Sequence, residues 1–101
     1  MVLLEVYKWT GQFTPQYWSP YEILARLTEE TGELAREVNH LYGTKKKKSN
    51  EEEKNLGQEL TDVIFTVVCM ANSQGIDLNE EWERMMNEKC YGRDNNRYKK
   101  K

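Results

Sequence analysis

The tightest constraint on the fold is a seam of side chains at alternating steps of three and four: Leu24, Leu27, Thr31, Leu34, Val38 and Leu41. A period near 3.5 residues marks one face of an α-helix and suits the seam of a bundle. The ends are punctuated. Ser19 stands as N-cap, Pro20 as the first helical residue and Glu22 as the third, a capping box with its preferred proline. Gly43 stands just beyond the last turn, so the spacing predicts a helix over 20–42.

The rest of the chain follows the same grammar. "TKKKKSN", with Lys45 to Lys48, is polar and aperiodic and reads as a solvated loop. Ser49 with Glu52 repeats the capping-box spacing and opens a second helix running to about Gln74. Its later half, "VIFTVVCMA", is apolar nearly all round. A flank of so small a bundle does not bury such a surface, which predicts a homo-oligomer. Gly75 ends that helix, and Asp77 with Glu80 opens a third through "DLNEEWERMMNEKCYG", with Leu78, Trp82, Met85 and Met86 as its stripe. The first dozen residues, with Leu3, Leu4, Val6, Tyr7 and Trp9, form a short helix that packs back on the others. No strand pattern or internal repeat interrupts this. The expectation is an all-α bundle of three to four helices in one domain, residues 1–92, with a basic, flexible tail at 93–101.

Composition narrows the partners. Fifteen basic against 17 acidic residues leave no bulk charge for holding nucleic acid. No apolar run approaches the length of a membrane span, and "MVLLEVYKW" lacks the marks of a secretory leader. Cys69 and Cys90 form no CxxC, and Cys69 reads as a small hydrophobe in an apolar run. These point to a cytoplasmic chain with no membrane or nucleic-acid partner.

Its acids are unusually placed. Glu29, Glu30 and Glu33 fall within "LTEETGEL", and Glu59 and Asp62 within "ELTDVIF". Residues three apart on a helix are neighbours, so each pair shares a face at the border of an apolar stripe. Antiparallel packing of the two helices would bring Glu30, Glu33, Glu59 and Asp62 together. A bare carboxylate beside Val63, Ile64 and Phe65 is costly to desolvate, and four like charges repel. A divalent cation removes both costs, and an all-oxygen donor set favours Mg²⁺, with Mn²⁺ as substitute, over zinc. The Glu-x-x-His half-motif at Glu37 and His40 competes weakly. A di-iron bundle needs two such motifs, and His40 is the single histidine. It reads as a helix C-terminal dipole partner or surface residue.

The two acidic motifs in order, EExxE then ExxD after a spacer of 25 residues, with "ANSQGIDL" and "EKCYGR" following, resemble the MazG-like branch of the all-α nucleoside triphosphate pyrophosphohydrolases, in its small single-domain form. The likeness covers about residues 13–98. It implies Mg²⁺-dependent cleavage of a nucleoside triphosphate to monophosphate and pyrophosphate, non-standard nucleotides being candidate substrates. It implies a homodimer or dimer of dimers. It places Glu30, Glu33, Glu59 and Asp62 as metal ligands, and Glu29 as the base orienting the nucleophile or as a ligand through water. Arg26, Lys89 and Arg93 match basic positions for the phosphates, and Trp18 falls where relatives hold the base; Asn72 reads either as a further base contact or as a polar residue near the helix end. "ARLTEE" lacks the lysine usual in phosphoribosyl-ATP pyrophosphohydrolases, and a dimeric dUTPase is normally longer, so both branches fit less well. The competing expectation is a metal- and nucleotide-binding regulatory module that keeps this fold without catalysis.

Overall fold

The computed structural model describes residues 2–44, 46 and 55–101. Among them lie four α-helices: α1 (Val2–Thr10), α2 (Pro20–Tyr42), α3 (Leu56–Ser73) and α4 (Leu78–Met85). Met86–Arg93 continues α4 in wider π winding. The all-α architecture is the one expected.

Both long helices are started by reciprocal caps. The Ser19 hydroxyl accepts from the Glu22 N–H at 3.3 Å, while the Ser19 N–H donates to Glu22 Oε1 at 3.3 Å. At α3 the pair is Asn55 and Gln58, at 2.8 and 3.0 Å. The cap expected at Ser49 and Glu52 lies outside the described residues. The box that starts α3 stands six residues later, where Asn-x-x-Gln offers the same chemistry nearer the apolar run.

The helix ends differ from each other. Gly43 closes α2 with φ −98°, not in the left-handed region, and donates to the Asn39 carbonyl at 2.9 Å. A Cβ there would lie 2.9 Å from Asn39 Oδ1 and 3.0 Å from its carbonyl oxygen, so crowding favours glycine. Gly75 after α3 has φ +67°. The Ile76 N–H reaches back to Ala71 O at 2.9 Å and the Gly75 N–H to Asn72 O at 3.3 Å, a Schellman ending. Asp77 then caps α4 by accepting from the Asn79 and Glu80 N–H groups. The third helix was expected to run unbroken to Gly92. Instead its winding widens after Met85, with the Asp94 N–H bonded to Lys89 O at 2.7 Å, five residues back. The tail begins with a turn, gripped where Arg93 and Arg97 both bond Asp94 Oδ1, at 3.0 and 3.1 Å.

Packing within the chain is thin. Val6, Val68 and Cys69 form the buried cluster, with Leu3, Tyr17 and Leu78 against it. The expected return of the N-terminal helix is present. α1 lies on α3, Asn72 Nδ2 donates to Leu3 O at 3.2 Å, and Trp9 meets Phe65 edge-on at 6.0 Å. The expected seam is displaced. The buried residues of α2 are Ile23, Glu30 and Glu37, whereas Leu24, Val38 and Leu41 are exposed. Leu60, Ile64 and Val67 of α3 are likewise exposed. The residues of α2 that are buried lie on the acidic border of the stripe, while within the stripe Leu27 and Leu34 are half-buried and Leu24, Val38 and Leu41 are exposed. A radius of gyration of 17.1 Å exceeds the roughly 13 Å of a compact domain of this length. Among the described residues, no helix is long and apolar enough to cross a membrane.

Candidate metal centre and adjoining cavity

Residues of α2 and α3 run in opposite directions along their contact. Ile23 and Arg26 line the same cavity as Thr66 and Cys69, while Glu33 meets Glu59. That antiparallel register gathers the acids. One carboxylate oxygen each from Glu30, Glu33 and Glu59 lies within 4.8 Å of the others. Glu30 and Glu59 are 3% and 2% exposed and Glu33 is half-buried. Hence two of the three carboxylates have lost almost all their water, against a strong desolvation cost.

Local chemistry satisfies only part of this. Arg26 Nε stands 2.8 Å from Glu30 Oε1, one turn away on the same helix. Glu30 Oε2 is buried without a hydrogen-bond partner. A buried carboxylate with an unsatisfied oxygen, close to two further carboxylates, is what a cation would satisfy. Oxygens held by an octahedral Mg²⁺ at about 2.1 Å stand roughly 3–4 Å apart, which small side-chain movements reach from here. The donor set is all oxygen, with neither cysteine nor His40 in the cluster. The residues therefore fit a hard divalent ion.

Beside the acids opens a cavity of about 370 Å³. Its walls are largely aromatic, from Trp9, Phe13, Tyr17, Trp18 and Phe65, and Arg26, Glu30 and Asp62 also line it. Cys69 lies in the inner wall, and burial pushes its thiol up, so it remains a neutral apolar filler. An apolar slot with a few charged groups in its wall suits a ligand with a flat ring and an anionic tail.

The site residues expected from sequence divide accordingly. Glu30, Glu33 and Glu59 come together; Asp62 is half-buried and lines the cavity, outside the three-oxygen cluster. Arg26 and Trp18 line the cavity as well. Glu29 is exposed and outside the cluster. Asn72 ties α3 to α1. Lys89 and Arg93 sit beyond α4, away from the cavity walls, and Arg93 also faces Asp94, whose carboxyl it and Arg97 hold below the usual range. Sequence reasoning missed the burial of Glu37. Its signal was present, since Ile23, Glu30 and Glu37 recur every seven residues beside the apolar seam. The cavity residues Thr10, Gln16 and Phe65 carried no such signal.

The chain is similar to known proteins over nearly its whole length. Residues 19–98 match the MazG nucleotide pyrophosphohydrolase domain. YpjD of Bacillus subtilis, itself uncharacterized, is 50% identical over 97 residues, spanning 96% of this chain and 86% of that protein. The crystal structure of B. subtilis YpjD superposes with a TM-score of 0.77, covering 87% of this chain and 90% of its own. The Bacillus-conserved MazG protein, described as a nucleotide pyrophosphohydrolase, gives 0.72 at 49% identity, covering 85% and 82%.

Proposed function

The chain belongs to the MazG nucleotide pyrophosphohydrolase family, and we propose that it hydrolyses a nucleoside triphosphate between the α and β phosphates, releasing a monophosphate and pyrophosphate. The observation that carries this reading is the convergence of Glu30, Glu33 and Glu59, with Glu30 also lining an aromatic cavity. The named activity of the Bacillus-conserved relative supports it.

In this reading Glu30, Glu33, Glu59 and Asp62 hold Mg²⁺, or Mn²⁺ in its place. When bound, the ion supplies charge neutralisation and Lewis acidity toward the phosphate oxygens. The chain's own residues do the rest. The four acids keep a triphosphate away until they are neutralised, which makes substrate binding conditional on the metal. Trp18 and the cavity aromatics enclose the base and exclude water from it. Arg26, half-exposed beside Glu30, turns its remaining N–H groups to a phosphate oxygen. Glu29, one turn from Glu33 and open to solvent, takes the proton of the attacking water. Lys89 and Arg93 serve the outer phosphates, and the Asn72 amide, which donates to Leu3 O, holds α1 against α3.

The working unit in this reading is a homodimer or a dimer of dimers. Leu24, Val38 and Leu41 on α2 and Leu60, Ile64 and Val67 on α3 leave an apolar surface that a second copy covers. The deciding experiment incubates the protein with Mg²⁺ and a panel of standard and non-standard nucleoside triphosphates and identifies the products. Pyrophosphate with an equimolar monophosphate is expected. Orthophosphate would place the cleavage elsewhere, and tight binding without product would favour the regulatory alternative.

A further inference from the structure

The stretch "GQFTPQYW", Gly11 to Trp18, joins α1 to α2 and lies ahead of the residues that match the family domain. It is more than a connection. With the end of α1 it supplies half of the side chains that line the cavity, from Trp9 to Trp18, and the matched domain supplies the other half. The clustered acids belong to the shared domain, whereas much of the ring slot is built ahead of it.

One polar side chain of this stretch is held in a defined orientation. Gln16, half-buried in the cavity wall, donates from Nε2 to Tyr7 O at 3.1 Å and to Thr10 Oγ1 at 3.3 Å. A backbone carbonyl only accepts, so the Tyr7 bond fixes which end of the amide is nitrogen. Both amide hydrogens are thereby committed to α1. The end left over is Oε1, an acceptor with no partner among the described residues. Donors nearby are spent in the same way. Thr10 Oγ1 donates to Val6 O at 2.8 Å and Thr66 Oγ1 to Asp62 O at 2.9 Å. The Tyr17 hydroxyl is buried out of a ligand's reach, and Glu30 and Asp62 add carboxylate oxygens, which accept. Beyond the half-exposed indoles of Trp9 and Trp18 and the guanidinium of Arg26, which faces Glu30, the wall offers a ligand chiefly acceptors.

We infer that Gln16 selects the base: its Oε1 accepts a hydrogen bond from an exocyclic amino group, so the slot takes cytosine and adenine ahead of their deaminated counterparts, uracil and hypoxanthine. Deamination replaces an N–H donor by a carbonyl at the same edge and sets lone pair against lone pair. A free glutamine would serve either base by turning its amide over. Here the reversed amide would place its oxygen against Tyr7 O, so the clamp removes that freedom and makes the residue discriminating. The inference rests on the reading of the cavity as the base slot of a pyrophosphohydrolase.

Steady-state kinetics with Mg²⁺ test it on two pairs related by deamination: deoxycytidine against deoxyuridine triphosphate, and deoxyadenosine against deoxyinosine triphosphate. The wild type should favour the amino member of each pair by about tenfold or more in kcat/KM, the scale of one hydrogen bond exchanged for two opposed acceptors. Gln16→Met keeps the length of the side chain and removes both ends of the amide. It should bring the ratio to within about threefold of parity, whereas a residue that only holds the loop would lower both members alike and leave the ratio standing. Gln16→Ala gives the same comparison should methionine disturb the loop. A wild type that shows no preference or favours the keto member overturns the inference, as does a variant that keeps the wild-type ratio. If the wild type turns over no triphosphate, the pyrophosphohydrolase reading fails. Quenching of tryptophan fluorescence by deoxycytidine and deoxyuridine monophosphates then decides the inference separately, with Trp9 and Trp18 in the wall as reporters. Tighter binding of the cytidine nucleotide that is lost in Gln16→Met supports it, and equal affinities overturn it.

Discussion

Replacing Glu30 by glutamine should have opposite consequences without and with metal. At an effective dielectric near 20, two charges 4.8 Å apart repel by about 3.5 kcal/mol, and Glu30 takes part in two of the three pairings in the cluster. Against that relief stands the ion pair with Arg26. Its guanidinium side is half-exposed, so the pair contributes no more than about 1 kcal/mol. An amide nitrogen left unpaired where Oε2 now lies costs a further 1–3 kcal/mol or so. In EDTA the variant should therefore be at least as stable as the wild type. With Mg²⁺ the order reverses. At about 100-fold over its Kd, a ligand selective for the folded state adds roughly 2.7 kcal/mol. For a domain of this length that is a rise of about 10 °C or more in Tm, which the variant should largely lose. Differential scanning fluorimetry in EDTA and across a Mg²⁺ series makes both comparisons. A variant that is less stable in EDTA by more than about 1 kcal/mol, or that gains as much from Mg²⁺ as the wild type, refutes the reasoning.

Four other outcomes follow from particular contacts. Asn72→Ala should accelerate hydrogen exchange in α1, since the bond to Leu3 O is lost, while leaving KM unchanged; a raised KM with α1 unaffected would make Asn72 a substrate contact. Trp18→Ala should raise KM for a nucleoside triphosphate by about tenfold or more, the worth of one stacked ring, and leave inorganic tripolyphosphate binding intact; equal losses for both ligands would place Trp18 outside the base slot. Gly75→Ala should lower stability by about 1–2 kcal/mol in urea denaturation, because alanine pays for the positive φ, and an unchanged midpoint would contradict the left-handed ending of α3. The folded-state Asp94 carboxyl is held below its usual value by Arg93 and then Arg97, so its contribution is complete above pH 3.8 and disappears as pH falls through the lower folded value; an Asp94 that titrates in NMR at or above the usual value would contradict the pairing.

Much of this molecule is written locally in the chain. Caps such as Ser19–Glu22 and Asp77 act within a single turn and are visible as short spacings, and the carboxylate pairs are set by helix geometry alone. What is not local was harder to read. The Asn55–Gln58 cap competes with an equally well-spaced pair at Ser49 and Glu52, and spacing does not rank them. The apolar stripe through Leu24, Val38 and Leu41 was expected to form a bundle seam, yet these three are exposed and the buried residues of α2 are Ile23, Glu30 and Glu37. Hydrophobic periodicity identifies a face that will be covered; it does not say by what. The wide winding after Met85 is equally invisible to a 3.6-residue template. Asp62 illustrates the limit at the site itself. Its spacing from Glu59 puts it on the right face, but its depth depends on how the helices approach, and it reaches the cavity wall rather than the three-oxygen cluster.

The central claim is that Glu30, Glu33 and Glu59 are held together as a divalent-cation site. Crystals grown with Mn²⁺ and measured at its absorption edge locate the ion without reference to activity. An anomalous peak within about 2.0–2.3 Å of oxygens from those three residues is the result expected. Saturating Mn²⁺ with no peak among them, or with all of it bound at other carboxylates, would contradict the account.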